Sequence, residues 1–242
     1  WDEVENATGY EIEADGRLLD NGTNTSFVHS SLIEDTEHVY RVRAYKEDIP
    51  GVWSGYKYIY TQLNAPKNVV LDVSSTAITA RWDMLPGASG YDVEFDDIII
   101  DNGLSGTYTC SELEPLTEHQ IRVRAKNNNG SGAWGEYVLV KTLINSPTGV
   151  TAAKQSSQIN ISWDPVPGAS EYELMFDGNI AYTGIQNEYV QSNLEPDTIH
   201  YFKIRAKSGE AFGQWTEVFS CKTLLGTPAN LEFSAESSKI SI

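Results

Sequence analysis

Residues 113–125 read LEPLTEHQIRVRA, from Leu113 to Ala125. From His119 onward the side chains alternate. His119, Ile121, Val123 and Ala125 fall on one side, and Gln120, Arg122 and Arg124 on the other. A period of two is what a β-strand with one buried face requires. The stretch is not unique. LIEDTEHVYRVRA stands at 32–44 and LEPDTIHYFKIRA at 194–206, each one step of 81 residues away.

The same step governs the rest of the chain. Trp1, Trp82 and Trp163 keep it, as do Tyr10, Tyr91 and Tyr172, and Gly22, Gly103 and Gly184. Gly51, Gly132 and Gly213 precede Trp53, Trp134 and Trp215, and Pro66, Pro147 and Pro228 follow. No insertion or deletion shifts the frame, so each period is one structural unit repeated. Within the second period, alternation predicts strands around Val69 and Leu71, Ile78 to Trp82, Tyr91 to Phe95, Tyr108 to Cys110, His119 to Ala125, and Val138 to Val140. Turn dipeptides separate them, including Asp15-Gly16, Asp177-Gly178, Asn21-Gly22 and Asn102-Gly103. About seven short strands in ~80–100 residues form a two-sheet sandwich.

The residues that carry this pattern resemble the fibronectin type III family. LEPLTEHQIRVRA matches its long strand. A Trp early in the second strand and a late GAW or GQW (Gly132 to Trp134, Gly213 to Trp215) match it as well. The resemblance covers the whole chain. It implies an all-β fold of tandem, immunoglobulin-like sandwiches with an 81-residue period, and core roles for Trp1, Trp82 and Trp163. WDPVPGASEYEL, Trp163 to Leu174, resembles repeats of bacterial surface and secreted proteins. One departure is consistent. Where the family carries the Tyr of its "tyrosine corner", this chain has His38, His119 and His200. We read these as structural corners in which imidazole replaces phenol as hydrogen-bond donor. A shared metal is not expected, because equivalent positions lie a whole domain apart.

Composition narrows the function classes. The 242 residues carry 34 Asp and Glu against 17 Lys and Arg, a net charge of -17. Phosphate backbones and anionic lipid repel such a chain, so nucleic acid and membrane insertion are not expected. No apolar run approaches the ~18 residues that cross a bilayer. The two cysteines, Cys110 and Cys221, lie at inward positions of different domains, where buried thiols used as small apolar groups are expected. Motifs for zinc proteases, nucleophile elbows and phosphate loops are missing, and a Ser-His-Asp or Cys-His set within one repeat is not expected. Asp96 and Asp97 read as turn residues, and no EF-hand loop is present. No catalytic residue, metal or cofactor is implied.

Other charges and aromatics have structural readings. In the fold the resemblance implies, the long strand neighbours the third, so Arg41 and Arg43, Arg122 and Arg124, and Lys203 and Arg205 would face Glu11, Glu13, Asp92, Glu94 and Glu173, and these bases are expected mostly to pair internally. Tyr56, Tyr58 and Tyr60 could stack on sugars, but edge-strand aromatics without a role are the simpler reading. The tripeptide Arg-Gly-Asp is absent, and the corresponding loops KEDIPG, NNNGSG and SGEAFG differ. Any protein or carbohydrate ligand is unidentified.

Boundaries are expected before Pro66, Pro147 and Pro228. They give a domain at 1–63 lacking its first two strands, whole domains at 64–144 and 145–225, and the first two strands of a further domain at 226–242. The short linkers QLNAP, LINSP and LLGTP restrict bending, so a rod is expected. The two partial domains are complementary. Trp1 and Tyr10 on one, and Leu231, Phe233, Ile240 and Ile242 on the other, form a proposed head-to-tail interface. Either a longer array or strand donation between copies would complete them. The function expected is a non-enzymatic extracellular or cell-surface rod or filament, structural or adhesive, with itself as partner. The alternatives are spacer modules of a secreted polysaccharide-degrading enzyme, or a ligand-binding or phage tail accessory module.

Overall fold

The computed structural model describes residues 1–230, 232–236 and 239–241. Its elements are all strands. The first repeat holds β1 (Gly9–Ala14), β2 (Arg17–Asp20), β3 (Glu37–Lys46), β4 (Ile49–Pro50) and β5 (Lys57–Tyr60). The second holds β6 (Val70–Val73), β7 (Ala77–Arg81), β8 (Gly90–Phe95), β9 (Ile98–Asp101), β10 (Thr107–Ser111), β11 (Glu118–Asn127), β12 (Gly130–Trp134) and β13 (Val138–Lys141). The third holds β14 (Thr151–Lys154), β15 (Gln158–Ser162), β16 (Glu171–Phe176), β17 (Asn179–Gly184), β18 (Glu188–Ser192), β19 (Ile199–Ser208), β20 (Ala211–Phe212) and β21 (Phe219–Lys222). A last pair, β22 (Ser234–Glu236) and β23 (Lys239–Ser241), follows.

Sheet topology is repeated with one omission. A five-stranded sheet occurs three times, ordered β2-β1-β3-β4, β12-β11-β8-β9 and β17-β16-β19-β20, with β5, β13 and β21 pairing β3, β11 and β19. A three-stranded sheet occurs twice, as β10-β7-β6 and β14-β15-β18. The first repeat has no such sheet among the described residues. There Ser26 to Ser30, one period before β10, is not a strand. The sequence pattern predicts only the loss of the first two strands from this repeat. The third strand of that sheet is lost with them, because β10 and β18 make their ladders only through β7 and β15. An extended segment with no neighbour satisfies none of its backbone groups by pairing.

The contacts divide the chain into two compact units. Residues 1–71, 80–108 and 119–139 form one, and residues 72–79, 109–118 and 140–242 form the other. The second unit contains the complete third sandwich. Ile159, Ile161 and Trp163 from one sheet meet Tyr172, Leu174, Phe176, Phe202, Ile204 and Ala206 from the other in one core. Ile144, from the linker ahead of this repeat, is buried in the same core. Its counterpart in the first unit is Leu63, 3% exposed, whose carbonyl accepts from the Ala133 N–H at 2.9 Å.

Local chemistry explains the hairpins. Type I′ turns need positive φ at both central residues. Asp15 and Gly16 have φ of 49° and 78°, and Asp177 and Gly178 have 46° and 84°. In the second repeat Asp97 replaces the glycine and still adopts 66°, within aspartate's tolerance for the left-handed region. The last pair keeps the register of its predecessor: Ala235↔Ile240 stands one period after Lys154↔Ile159.

Two sequence expectations are corrected. Trp82 and Trp163 are buried, at 6% and 3% exposed, but Trp1 is 41% exposed and is not a core residue here. Among the described residues the first repeat has no three-stranded sheet to cover it. Cys110 and Cys221 are half-buried free thiols, not buried ones.

Candidate functional site

The corner histidines are built in place by three segments. The carboxylate of the turn residue Asp15 accepts from Nδ1–H of His38 at 2.7 Å and from the Val39 N–H at 2.9 Å. Asp96 and Asp177 repeat this with His119 (2.6 Å) and His200 (2.7 Å), and with Gln120 and Tyr201. The sequence reading assigned the imidazole its donor role and missed its acceptor. The acceptor is a turn aspartate 23 residues upstream, and the repeat of aspartate at 15, 96 and 177 is the signal that could have found it. These hydrogen bonds, that from His38 first, hold the Asp15 carboxyl below the usual aspartate range.

The other ring nitrogen also has a partner. His38 Nε2 lies 2.8 Å from Thr36 Oγ1, and His200 Nε2 lies 2.8 Å from Thr198 Oγ1. Hydroxyl, imidazole and carboxylate therefore fall in line within a single repeat, an arrangement that sequence reasoning did not expect. The hydroxyl is spent structurally. Thr36 Oγ1 sits 2.6 Å from the Ile33 carbonyl and 3.3 Å from Thr61 Oγ1, and Thr61 Oγ1 accepts from the Thr36 N–H. The motif ties the start of β3 to the first hairpin and the end of β5.

The arginines of the long strands pair with carboxylates as expected, whereas Lys203 stands opposite Met175 and lies over the Trp215 ring at 4.9 Å. Arg43 reaches Glu11 at 2.6 Å, Arg122 Glu94 at 2.6 Å, Arg124 Asp92 at 2.9 Å and Arg205 Glu173 at 2.5 Å, and Arg41 pairs with Glu13. Aromatic rings from the late loop complete the stack. Trp53 lies 4.6 and 4.4 Å from Arg41 and Arg43, and Trp215 lies 4.4 Å from Arg205. Tyr137 donates to Glu94 at 2.7 Å, and this bond is the main cause holding the Glu94 carboxyl below its ordinary value. The repeating Trp was legible; its role over the arginines was not.

The first repeat presents an open inner face. A groove of about 700 Å³ is lined by Trp1, Ile12, Phe27, Val42, Tyr56 and Ile59 among others. Trp1 packs edge-on against Tyr10 at 5.7 Å, so these two residues of the expected interface meet. Tyr10 itself is 3% exposed and its hydroxyl accepts from the Val4 N–H at 2.7 Å. Phe233 is 68% exposed. Ile240 belongs to β23, with its backbone alone described, and Leu231 and Ile242 lie outside the described residues. Tyr56, Tyr58 and Tyr60 are exposed on and beside β5.

Residues 64–141 and 145–222 each match the family described as Fibronectin type III domain. The chain belongs to the fibronectin type III family. Fibronectin type III relatives include mouse Protein sidekick-1, 28% identical over 213 residues, covering 75% of this chain and 9% of that protein. Another is Tyrosine-protein phosphatase Lar-like of Caenorhabditis elegans, 27% identical, covering 78% of this chain and 8% of that protein. The chain thus spans under a tenth of the length of these curated relatives. The solved FN1-FN3 domains of chicken CNTN1 are 20% identical, with 91% of each chain covered and a TM-score of 0.38. Among the described residues no helix is long and apolar enough to cross a membrane.

Proposed function

We propose that this chain is a non-enzymatic, extracellular adhesive and structural module. Its first repeat takes up a strand pair in the phase of residues 226–242, supplied by a second copy or by continuation of an array. One observation carries this reading. The first repeat has a five-stranded sheet with an apolar groove on its inner face, where the third repeat has β14, β15 and β18. The β22–β23 pair has the register of β14–β15. Phe233 and Ile240 would each contribute roughly 1.5–3 kcal/mol on full burial. Added strands would also satisfy backbone groups of Ser26 to Ser30. An extracellular rod or filament follows if completion is repeated from chain to chain.

Light scattering on the purified 242-residue chain tests the self-association. The expected result is a mass that rises with concentration and falls to the monomer in Phe233→Asp. A monomer at every concentration would leave covalent continuation as the route of completion.

A further inference from the structure

We propose that Asp15, His29 and His38 bind one divalent transition-metal ion of the zinc class, pinning the Ser26 to Ser30 segment to the first five-stranded sheet. One ligand atom from each residue lies within 4.8 Å of the others, and among the described residues no other group of three such side chains is this close. Two imidazoles and a carboxylate are a zinc-type donor set, with a fourth position left for water. A tetrahedral site with bonds of about 2.1 Å needs neighbouring ligands roughly 3.4 Å apart. Closure therefore asks for a shift of about an ångström. His29 can supply it, because among the described residues no sheet ladder holds its segment.

Metal-bound imidazoles are ordinarily oriented by a hydrogen bond at the second ring nitrogen. With His29 coordinating through Nε2 and His38 through Nδ1, both rings would have such a partner. The Tyr40 hydroxyl lies 3.0 Å from His29 Nδ1, and Thr36 Oγ1 lies 2.8 Å from His38 Nε2. His38 Nδ1 already faces the Asp15 carboxylate at 2.7 Å, and an ion would take the place of the proton between them. The His29 and His38 rings stand edge to face at 5.9 Å.

The third repeat is an internal control. It keeps the aspartate–histidine pair, Asp177 and His200 at 2.7 Å, but has Gln191 where the first repeat has His29. That amide is engaged by the Tyr189 hydroxyl at 2.6 Å. The spacing that keeps the three corner histidines from sharing an ion does not separate His29 from His38.

Zinc titration of the full chain against a chromophoric chelator decides the matter, with the segment followed by amide exchange at Phe27 to Ser30. The expected result is one equivalent of Zn²⁺ per chain and slower exchange in that segment. His29→Ala should weaken binding at least about tenfold, and His200→Ala should leave it unchanged. His29 is exposed, so its removal leaves the core intact. No binding, or stoichiometric binding that survives His29→Ala, would overturn the assignment.

Discussion

Ser26 to Ser30 and Glu188 to Ser192 occupy the same place two periods apart, yet only the second is a strand. Both carry an aromatic residue followed by valine, and Phe27 and Val28 are as suited to a strand as Tyr189 and Val190. The difference lies outside the segments. Glu188 to Ser192 pairs with β15 through five registered positions, from Gln158↔Ser192 to Ser162↔Glu188. Among the described residues Ser26 to Ser30 has no counterpart of β15 beside it. Strand identity at this position is therefore decided by a neighbour and not by local propensity.

The comparison can be sharpened by deleting equivalent core side chains. Leu174 and Ile12 stand at the same repeat position, at 0% and 2% exposed. Leu174 lies inside a closed core, whereas Ile12 borders the groove. Leu174→Ala should cost about 2–5 kcal/mol. Ile12→Ala should cost less, because a side chain beside an open groove leaves no sealed cavity. Denaturant unfolding of the two variants measures the difference, and equal costs would mean that the first repeat is as closed as the third.

Glycines with and without room for a side chain should diverge next. A Cβ at Gly213 would meet the Ile144 carbonyl oxygen at 2.7 Å and Ile144 Cγ2 at 2.9 Å. Gly213→Ala should cost about 1–3 kcal/mol through overpacking. Gly55, in the first repeat, has nothing within 4 Å of such an atom, so Gly55→Ala should be near neutral by the same melting measurement.

Arg205 stands between Phe212 at 3.8 Å and Trp215 at 4.4 Å and pairs with Glu173. Arg205→Met should cost about 1 kcal/mol, mainly from the lost cation–π contacts. High salt should remove only the ionic part of that cost.

The smallest effect expected is a pH dependence at the Asp15 corner. Its carboxyl is held below the usual value by His38 and the Val39 N–H, so the folded state favours the ionised form. That contribution is present above the ordinary aspartate value of about 3.9 and is lost as pH falls through the lower folded value. Asp15→Asn should lower the melting temperature between pH 5 and pH 7 by an amount that shrinks below about pH 3.5. A deficit that stays constant with pH would show that the corner's contribution is not ionic.

Much of the fold was legible because the repeat supplies its own controls. Three copies of the His119 to Ala125 alternation located the long strand, and the Arg–carboxylate pairs followed from which residues share an outward face. Pairing at a distance was less legible. Asp15 and His38 lie 23 residues apart, and their meeting depends on the turn that points the carboxylate back across β3. Trp1 repeats the pattern of Trp82 and Trp163, but its burial needs a second sheet that the period alone cannot provide. The loss of the Ser26 to Ser30 strand has the same cause. Both misreadings arise where a local pattern depends on a distant partner.

Amide hydrogen exchange at Phe27 to Ser30 and at Tyr189 to Ser192, in the intact chain at low and high concentration, tests the open face most directly. We expect fast exchange at Phe27 to Ser30 in dilute solution and slow exchange at Tyr189 to Ser192 throughout, with the first segment gaining protection as the chain associates. Equal, strong protection of the two segments in dilute monomer would contradict an open first repeat.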